Sequence, residues 1–378
     1  MGENNPLRYQ ILDTTLREGE QTPGVSFSIN QKIEIAKLLS EFGVDFIEAG
    51  HPVVAPNIKK AVKAIADENL KPKIIAHCRA QRSDIDQALD CGVSWVGIFF
   101  SVSDKSLEQR FRKSEEEATK LITDTIQYAK DHGLNVRYTP EDTVRSDFGT
   151  VLRVSEAAVH AGADRISIAD TGGVMTPEKI SDYVKRLKQK INVPLNIHCH
   201  NDLGLASANS LSALNSGARL ADVTINGLGE RCGIADLSQV CTALKTIYRA
   251  ENNWKLDMLP EISDVVERYS GIKVSKQAPV VGKNAFTHNA GLHVSAMLID
   301  PEHYETIPCG LVGRKRDIVI DKMAGKEAIR FKLDKLGIQA NDDLVNNFSK
   351  ELKLRESNLL KDHQIKRLAK EVQDGNNS

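Results

Sequence analysis

One local pattern recurs along the N-terminal part of this chain and constrains its fold. Each copy has the end of a helix, a glycine, and then a run of apolar and β-branched residues. The five copies are EFGVDFIEAG (41–50), DCGVSWVGIFF (90–100), DHGLNVRYTP (131–140), HAGADRISIAD (160–170) and NSGARLADVTI (215–225). Glycine suits the left-handed position that ends a helix, and an apolar run suits a strand buried in a parallel sheet. The pattern therefore predicts repeated helix–strand units.

Three further segments complete a set of eight strands: YQILDTT from residue 9, PKIIAHC from residue 72 and VPLNIHCH from residue 193. Segments such as 30–42 and 116–132 carry apolar residues at the three- and four-residue spacing of a helix. Eight strands alternating with helices predict a (β/α)8 TIM barrel, an α/β fold that is complete near residue 250. An open doubly wound sheet is the alternative. That fold normally has a glycine-rich phosphate loop after its first strand, where this chain has LREGEQTPG.

The character of the sequence changes after about residue 275. We expect a catalytic barrel domain over residues 1–275, a linker and lid segment over 276–312, and a small helical C-terminal subdomain over 313–378. The lid segment is rich in Gly, His and Asn and lacks the helix–strand pattern, whereas 325–337 and 341–360 have helical spacing.

Composition excludes several classes of protein. The 378 residues have a formal net charge of -1 and no long basic run, so nucleic-acid binding is not expected. No apolar run approaches the roughly 18 residues that span a bilayer. The six cysteines form no CxxC pair and are expected to be buried, reduced thiols, which favours a cytoplasmic location.

Polar and charged residues concentrate where five of the predicted strands end: DTTLREGEQ, RYTPEDTVRS, ADTGG, HCHND and NGLGERCG. Active sites of barrel enzymes lie at these C-terminal strand ends. His198 and His200 are two apart on a predicted strand, so both rings project to the same side and can share one divalent ion. The alternative is that they are two polar residues at the end of a strand.

A metal site also needs a carboxylate from a neighbouring strand. Strand one lies next to strand eight, which lies next to strand seven, and the acids at its end are Asp13, Glu18 and Glu20. One carboxylate with two imidazoles suits Mg²⁺, Mn²⁺, Co²⁺ or Zn²⁺. The alternative roles of these acids are helix capping and pairing with Arg17.

Three motifs in this order, DTTLREGEQ, HCHNDLG and GLGERCG, give the sequence a resemblance to a known family. They are similar to the acyl-CoA-dependent branch of the metal-dependent DRE-type barrel enzymes, which includes isopropylmalate, citramalate and homocitrate synthases. The similarity runs from about residue 11 to about residue 337. It implies that Arg17 stabilises a developing oxyanion, and that acetyl-CoA is a co-substrate. The residues that would hold the divalent ion are Glu18, His198 and His200.

The same resemblance assigns further roles. An enolate of acetyl-CoA attacks a 2-oxo acid, water hydrolyses the thioester, and Glu141 takes part in the proton transfer. The alternative for Glu141 is a salt bridge with Arg145. His293 and Tyr304 would reach the active site of a partner subunit, in a homodimer with exchanged lids. His288 is a second candidate, and a structural hydrogen bond is the alternative for each histidine.

Within this family, the archaeal type of homocitrate synthase, which uses 2-oxoglutarate and belongs to lysine biosynthesis, is favoured. The chain ends before the region where isopropylmalate synthases carry a leucine-sensing domain, and IEAGHPVVAP resembles the archaeal enzymes. Arg137 on strand five would bind the distal carboxylate in a bidentate way. A permanent pair with Asp170 or Glu48 is the alternative for it. The expected substrate-binding residues are Arg17, His77, Arg137, Thr139 and Thr171.

Two positions depart from the family pattern. Ile234 stands where isopropylmalate and citramalate synthases have an asparagine, and Gly97 stands where many homocitrate synthases have an aspartate. The alternative products are therefore 2-isopropylmalate, citramalate, Re-citrate or phosphonomethylmalate, made from another 2-oxo acid. The fold also hosts lyases and non-catalytic descendants. Every other expected residue at the barrel mouth is present, which favours an enzyme.

Overall fold

The computed structural model describes residues 8–355 and 359–375. Eight parallel strands close into a barrel in sequence order, and the first strand pairs with the eighth. These strands are β1 (Gln10–Asp13), β2 (Phe46–Gly50), β3 (Lys73–Arg79), β4 (Trp95–Ser101), β5 (Asn135–Glu141), β6 (Arg165–Asp170), β7 (Leu195–Cys199) and β8 (Leu220–Val223). The (β/α)8 barrel is thus confirmed, and the open doubly wound sheet is wrong.

A helix follows each strand. The barrel helices are α1 (Ile29–Phe42), α2 (Pro56–Asp67), α3 (Arg82–Asp90), α4 (Glu115–Asp131), α5 (Phe148–His160), α6 (Pro177–Lys188), α7 (Ala206–Asn215) and α8 (Leu237–Thr246), and α9 (Leu259–Ser270) comes after them. Capping boxes begin α1, at Ser28 and Gln31, and α4, at Ser114 and Glu117. Gly43 ends α1 with φ of 104°, and the four corresponding glycines of the repeated pattern also have positive φ.

The lumen contains an apolar cluster toward its N-terminal end and is polar at its mouth. Leu12, Phe46, Ile75, Leu220 and Trp95 come from five strands and form one cluster. Side chains alternate along β5, so that Arg137, Thr139 and Glu141 line a cavity at the mouth while the residues between them face away. The alternation therefore points these β5 side chains into the lumen near its mouth.

The second compact unit runs from Ser275 onward. It contains two short paired strands, β9 (Thr287–His288) and β10 (Asp317–Ile318), and four helices: α10 (Gly291–Ile299), α11 (Lys326–Lys335), α12 (Asp342–Leu354) and α13 (Asp362–Gly375). Val294 and Met297 of α10 share one core with Leu333, Phe348 and Leu368 of the later helices. The segment expected as a lid therefore packs with the helical subdomain inside this unit.

All six cysteines are free. Cys232 is exposed and Cys309 is half-buried, so the expectation of buried thiols is wrong for these two and holds for the other four. Among the helices of the described residues, none has the length and apolar character needed to cross a membrane.

Candidate metal centre and active site

Three side chains at the barrel mouth form a cluster suited to a metal ion. Glu18 lies in the loop after β1, His198 lies in β7, and His200 follows directly after β7. Their candidate ligand atoms all lie within 4.8 Å of one another. The Nε2 atoms of the two histidines are 3.4 Å apart, so both rings project to the same side as the spacing predicts.

The orientation of the two rings suits a cation between them. Nδ1 of His198 lies 3.1 Å from Oδ2 of Asp222, an acceptor, so Nδ1 is the hydrogen-bond donor to this carboxylate and Nε2 faces the cluster. Burial, together with the charge of His198, lowers the pKa of His200 to about 4. Two imidazoles that direct Nε2 atoms at one another, beside a carboxylate, have the donor set of a divalent ion.

Glu18 is held in place from two sides. Burial acts to raise its pKa, but Arg17 and His198 together lower it, so the side chain is ionised. The backbone N–H of Glu230 donates to Oε1 at 3.0 Å. Gly229 has φ of 155°, and a Cβ there would lie 3.1 Å from Cγ of Glu18. The GLGERCG loop after β8 therefore needs a glycine at this position to close over the carboxylate.

The other two acids at the end of β1, Asp13 and Glu20, have partners outside the cluster. Asp13 accepts a hydrogen bond from the backbone N–H of Thr15 at 2.8 Å, and within the described part of the chain its second oxygen has no partner. Burial raises the pKa of Asp13 to about 7. Glu20 pairs with Lys32 at 2.5 Å. In the described contacts neither of these two acids pairs with Arg17, whereas Glu18 has that alternative contact with Arg17 and also lies in the cluster.

A cavity of about 220 Å³ opens at the mouth beside this cluster. Nine residues expected in the site from the sequence line it together: Arg17, Glu18, His77, Arg137, Thr139, Glu141, Thr171, His198 and His200. Gln21, His51, Phe99 and Asp222 also line it.

Glu48 on β2 is the centre of a buried network. Its carboxylate accepts from Thr14 Oγ1 at 2.7 Å, Arg17 Nε at 2.7 Å and Arg137 Nη2 at 2.9 Å. It also accepts from Nδ1 of His77 at 3.1 Å. Burial acts to raise the pKa of Glu48, but Arg17, His77 and Arg137 hold it well below its usual value. The network orients Arg17 at the edge of the cavity.

Arg137 crosses the lumen and is only 2% exposed. Its Nη1 donates to both oxygens of Asp222, at 3.2 and 3.0 Å, and its Nη2 donates to Glu48. The structure therefore has the permanent pair with Glu48, not with Asp170, whose oxygens accept two backbone N–H groups. Nε of Arg137 is buried and has no hydrogen-bond partner among the described residues. Binding of a substrate carboxylate by Arg137 remains a prediction. The N–H of Nε would be the group that donates to the carboxylate.

His77 lies in an aromatic cluster at the β2–β4 side of the mouth. Its ring stacks on Phe99 with centroids 4.4 Å apart, and the ring of His51 meets it edge-on at 5.5 Å. Burial, together with the charge of Arg17, lowers the pKa of His77 to about 4 despite Glu48. A neutral His77 that donates from Nδ1 to Glu48 presents Nε2 as a hydrogen-bond acceptor. His51 is bonded in turn to Asp84 at 3.0 Å.

Glu141 lines the cavity and forms a salt bridge with Arg110. Arg110 donates to both of its oxygens at 3.0 Å. Arg145 pairs instead with Asp142 at 2.7 Å, so the alternative given for Glu141, a salt bridge with Arg145, is wrong. Thr171 accepts the backbone N–H of Asp142 at 3.0 Å, which ties the end of β5 to β6.

His293 and Tyr304 belong to the second unit. Their rings stack with centroids 4.2 Å apart and an interplanar angle of 29°. His288 has the structural hydrogen bond that was its alternative, to Glu305 at 2.8 Å, and Arg316 also pairs with Glu305. The assignment of His293 and Tyr304 to a partner subunit's site remains a prediction.

Sequence reasoning missed Glu48 and Asp222 as members of the site. From the sequence, Glu48 was named only as an alternative partner of Arg137, and Asp222 was not named. Each is a single acid inside an otherwise apolar strand, FIEAG and LADV. Because a buried charge is costly unless it is paired, an acid in such a strand indicates a cation or a metal ligand nearby. That signal was present in the sequence.

A closed barrel with one carboxylate and two imidazoles at its mouth defines the class of metal-dependent barrel enzymes. A family model described as HMGL-like matches residues 8–266, and a homocitrate synthase post-HMGL domain-like model matches residues 280–358. The chain therefore belongs to the HMGL-like family, and within it to the homocitrate synthase group.

Curated relatives and solved structures agree with this membership. The homocitrate synthase of Pyrococcus horikoshii is 49% identical over 333 residues, covering 88% of this chain and 91% of the relative. That of Saccharolobus islandicus is 44% identical over 372 residues, covering 97% and 80%. The HMG-CoA lyase of Bacillus subtilis superposes with a TM-score of 0.64 at 24% identity, over 72% of this chain and 97% of the lyase. This last similarity supports the barrel fold.

Proposed function

We propose that this chain condenses acetyl-CoA with 2-oxoglutarate and hydrolyses the thioester, releasing homocitrate and coenzyme A. The observation that carries the proposal is the similarity to homocitrate synthases along nearly the whole chain, combined with the cluster of Glu18, His198 and His200 beside a lumenal cavity. The proposed role is a step of lysine biosynthesis in the cytoplasm.

The proposed reaction forms one carbon–carbon bond and breaks one thioester. A base removes a proton from the acetyl methyl group, and the resulting enolate carbon attacks the keto carbon of the oxo acid. The new alkoxide takes up a proton, and water then cleaves the thioester, with the sulfur leaving as the thiol. When bound, a divalent ion held by Glu18, His198 and His200 supplies Lewis-acid polarisation of the substrate's carbonyl.

The chain's own residues have distinct parts in this scheme. Arg17 is oriented by Glu48 and offers a fixed positive charge where the alkoxide develops. Glu141 is the proposed acid/base at the cavity edge, and its partner Arg110 has a side chain 54% exposed, so the pair can open when substrate enters. Thr139 and Thr171 contribute hydroxyl groups to the cavity wall.

Recognition of 2-oxoglutarate is proposed to involve Nε of Arg137. The guanidinium is already neutralised by Glu48 and Asp222, so its contribution to the distal carboxylate is one N–H and not a bidentate fork. Arg137→Lys, which keeps the charge and loses Nε, should lower the specificity constant for 2-oxoglutarate more than that for 2-oxoisovalerate. An unchanged ratio of the two constants would show that another group selects the substrate.

The second unit is proposed to act as a lid exchanged between two subunits. Leu292 and Ile299 of α10 are 75% and 83% exposed, and Tyr304 is 44% exposed, so this face offers apolar surface to a partner. If His293 acts in the partner's site, co-expressed His200→Ala and His293→Ala chains should regain activity as mixed dimers. Verified heterodimers without activity would place His293 outside that site.

The reaction itself is tested by measuring thiol release from acetyl-CoA with a panel of 2-oxo acids and identifying the product by mass spectrometry. The panel contains 2-oxoglutarate, 2-oxoisovalerate, pyruvate, oxaloacetate and phosphonopyruvate, because the alternative products arise from the last four. Homocitrate formation that is fastest with 2-oxoglutarate supports the proposal. Faster turnover of another acid, or no thiol release with any of them, rejects it.

A further inference from the structure

A carboxylate on β8 connects a proposed metal ligand with the arginine that crosses the lumen. Oδ2 of Asp222 lies 3.1 Å from Nδ1 of His198 and 3.0 Å from Nη1 of Arg137. Oδ1 of the same carboxylate accepts from Nη1 at 3.2 Å. Asp222 is 1% exposed, so these contacts are buried. The ring of His198 is therefore oriented by an acid that is itself held by a guanidinium.

The far side of Arg137 is anchored as well. Its Nη2 donates to Glu48 on β2, which is fully buried. Gly97 pairs with Arg137 in the register of β4 and β5, and a Cβ at Gly97 would lie 3.2 Å from Nη2 and 3.3 Å from Oε1 of Glu48. The absence of a side chain at Gly97 leaves the space that the guanidinium and Glu48 occupy. Residues from four strands, β2, β4, β5 and β8, thus contribute to the site of one buried guanidinium.

We propose that Asp222 and Arg137 are positioning residues for the metal site, and that they act through the ring of His198. The inference rests on the metal-binding part of the proposed function, not on the identity of the oxo acid. A carboxylate that accepts the second ring N–H of a metal-bound histidine fixes its tautomer and its orientation. Arg137 in turn prevents Asp222 from rotating away, because its Nη1 contacts both carboxylate oxygens.

This role predicts a loss of metal affinity when either partner is changed. Asp222→Asn can accept a hydrogen bond through one atom only, and its amide N–H₂ would face either Arg137 or the N–H of His198. Its affinity for Co²⁺ should fall by about 10–100-fold, the usual effect of losing such a partner. Arg137→Lys should change the affinity in the same direction, since one ammonium group cannot bridge both oxygens of Asp222 and also reach Glu48.

The test is a titration of the purified full chain with Co²⁺, followed by calorimetry and by visible absorption, without acetyl-CoA or oxo acid. Arg165→Lys is a matched control, because Arg165 is also a lumenal arginine but, in the described contacts, it donates to the amides of Gln10 and Asn196 and not to Asp222 or Glu48. Its Co²⁺ affinity should equal that of the parent chain. Thermal unfolding of each apoprotein checks that the variants are folded.

The inference is overturned if folded Asp222→Asn and Arg137→Lys both bind Co²⁺ as tightly as the parent chain. If Asp222→Asn does not fold, Arg137→Lys and the ¹⁵N shifts of His198 decide: a ring protonated at Nε2 instead of Nδ1 overturns the inference as well. A chain that binds Co²⁺ in an Asp222-dependent way but releases no thiol supports the inference and rejects the proposed reaction. If the parent chain produces homocitrate but both variants bind Co²⁺ as tightly as the parent chain, the proposed reaction is supported and the inference is rejected.

Discussion

Replacing Arg137 by leucine removes the cation that links two buried carboxylates. Glu48 and Asp222 are 0% and 1% exposed, and both accept hydrogen bonds from this guanidinium. Glu48 keeps Thr14, Arg17 and His77 as partners, whereas the described contacts of Asp222 reduce to His198. Breaking one side of a buried ion pair typically costs about 3–5 kcal/mol, because it leaves an uncompensated buried charge. We expect Arg137→Leu to be destabilised by an amount in this range.

Two comparisons separate this effect from the general cost of losing a lumenal arginine. Arg165→Leu loses hydrogen bonds to neutral amides and should cost roughly 1–3 kcal/mol. Adding Asp222→Asn to Arg137→Leu removes the stranded charge, so the double variant should recover part of the loss, with a coupling of about 0.5–3 kcal/mol. Urea unfolding followed by circular dichroism measures all four proteins. Equal stability of Arg137→Leu and the parent chain would refute the argument that these charges depend on one another.

Three further outcomes are expected. His200→Ala should abolish turnover with unchanged circular dichroism, because the residue lies at the rim of a stable barrel; activity that survives both this change and exhaustive chelation would contradict the metal site. Glu141→Gln should lower turnover by about 10²–10⁴-fold with little change in the Michaelis constant for the oxo acid. If turnover persists and stability falls as it does in Arg110→Gln, the carboxylate serves only the salt bridge. Asp13→Asn should become more stable than the parent chain as pH rises. Burial raises the pKa of Asp13 from 3.8 to about 7, with Asp236 adding to the shift, so the unfolded chain ionises first and stability is lost between these values. The advantage of the Asn variant should grow by roughly 1.4 kcal/mol per pH unit between pH 5 and 7, and a constant advantage in pH-dependent unfolding would show that Asp13 is ionised in the fold.

Much of the fold and of the metal cluster could be predicted from local sequence patterns. A glycine such as Gly43 ends a helix because its backbone reaches a left-handed conformation, and the apolar run after it must be buried. These are local properties, so five strands could be predicted without knowing their neighbours. The spacing of His198 and His200 likewise determines that both rings share a side, because side chains alternate along a strand. The barrel then brings Glu18 to them from β1.

The partners of the charged side chains were decided only by the tertiary structure. The sequence places Glu141 four residues from Arg145, yet Glu141 pairs with Arg110, which lies between β4 and α4. This pair forms because β4 and β5 are neighbours and their C-terminal ends meet at the mouth. Likewise, nothing local indicates which acid Arg137 meets. Its guanidinium reaches Glu48 and Asp222 on two other strands across the closed lumen, over the space left by Gly97. Sequence spacing determines the direction of a side chain along its own strand, whereas closure of the barrel determines which charges face one another inside it.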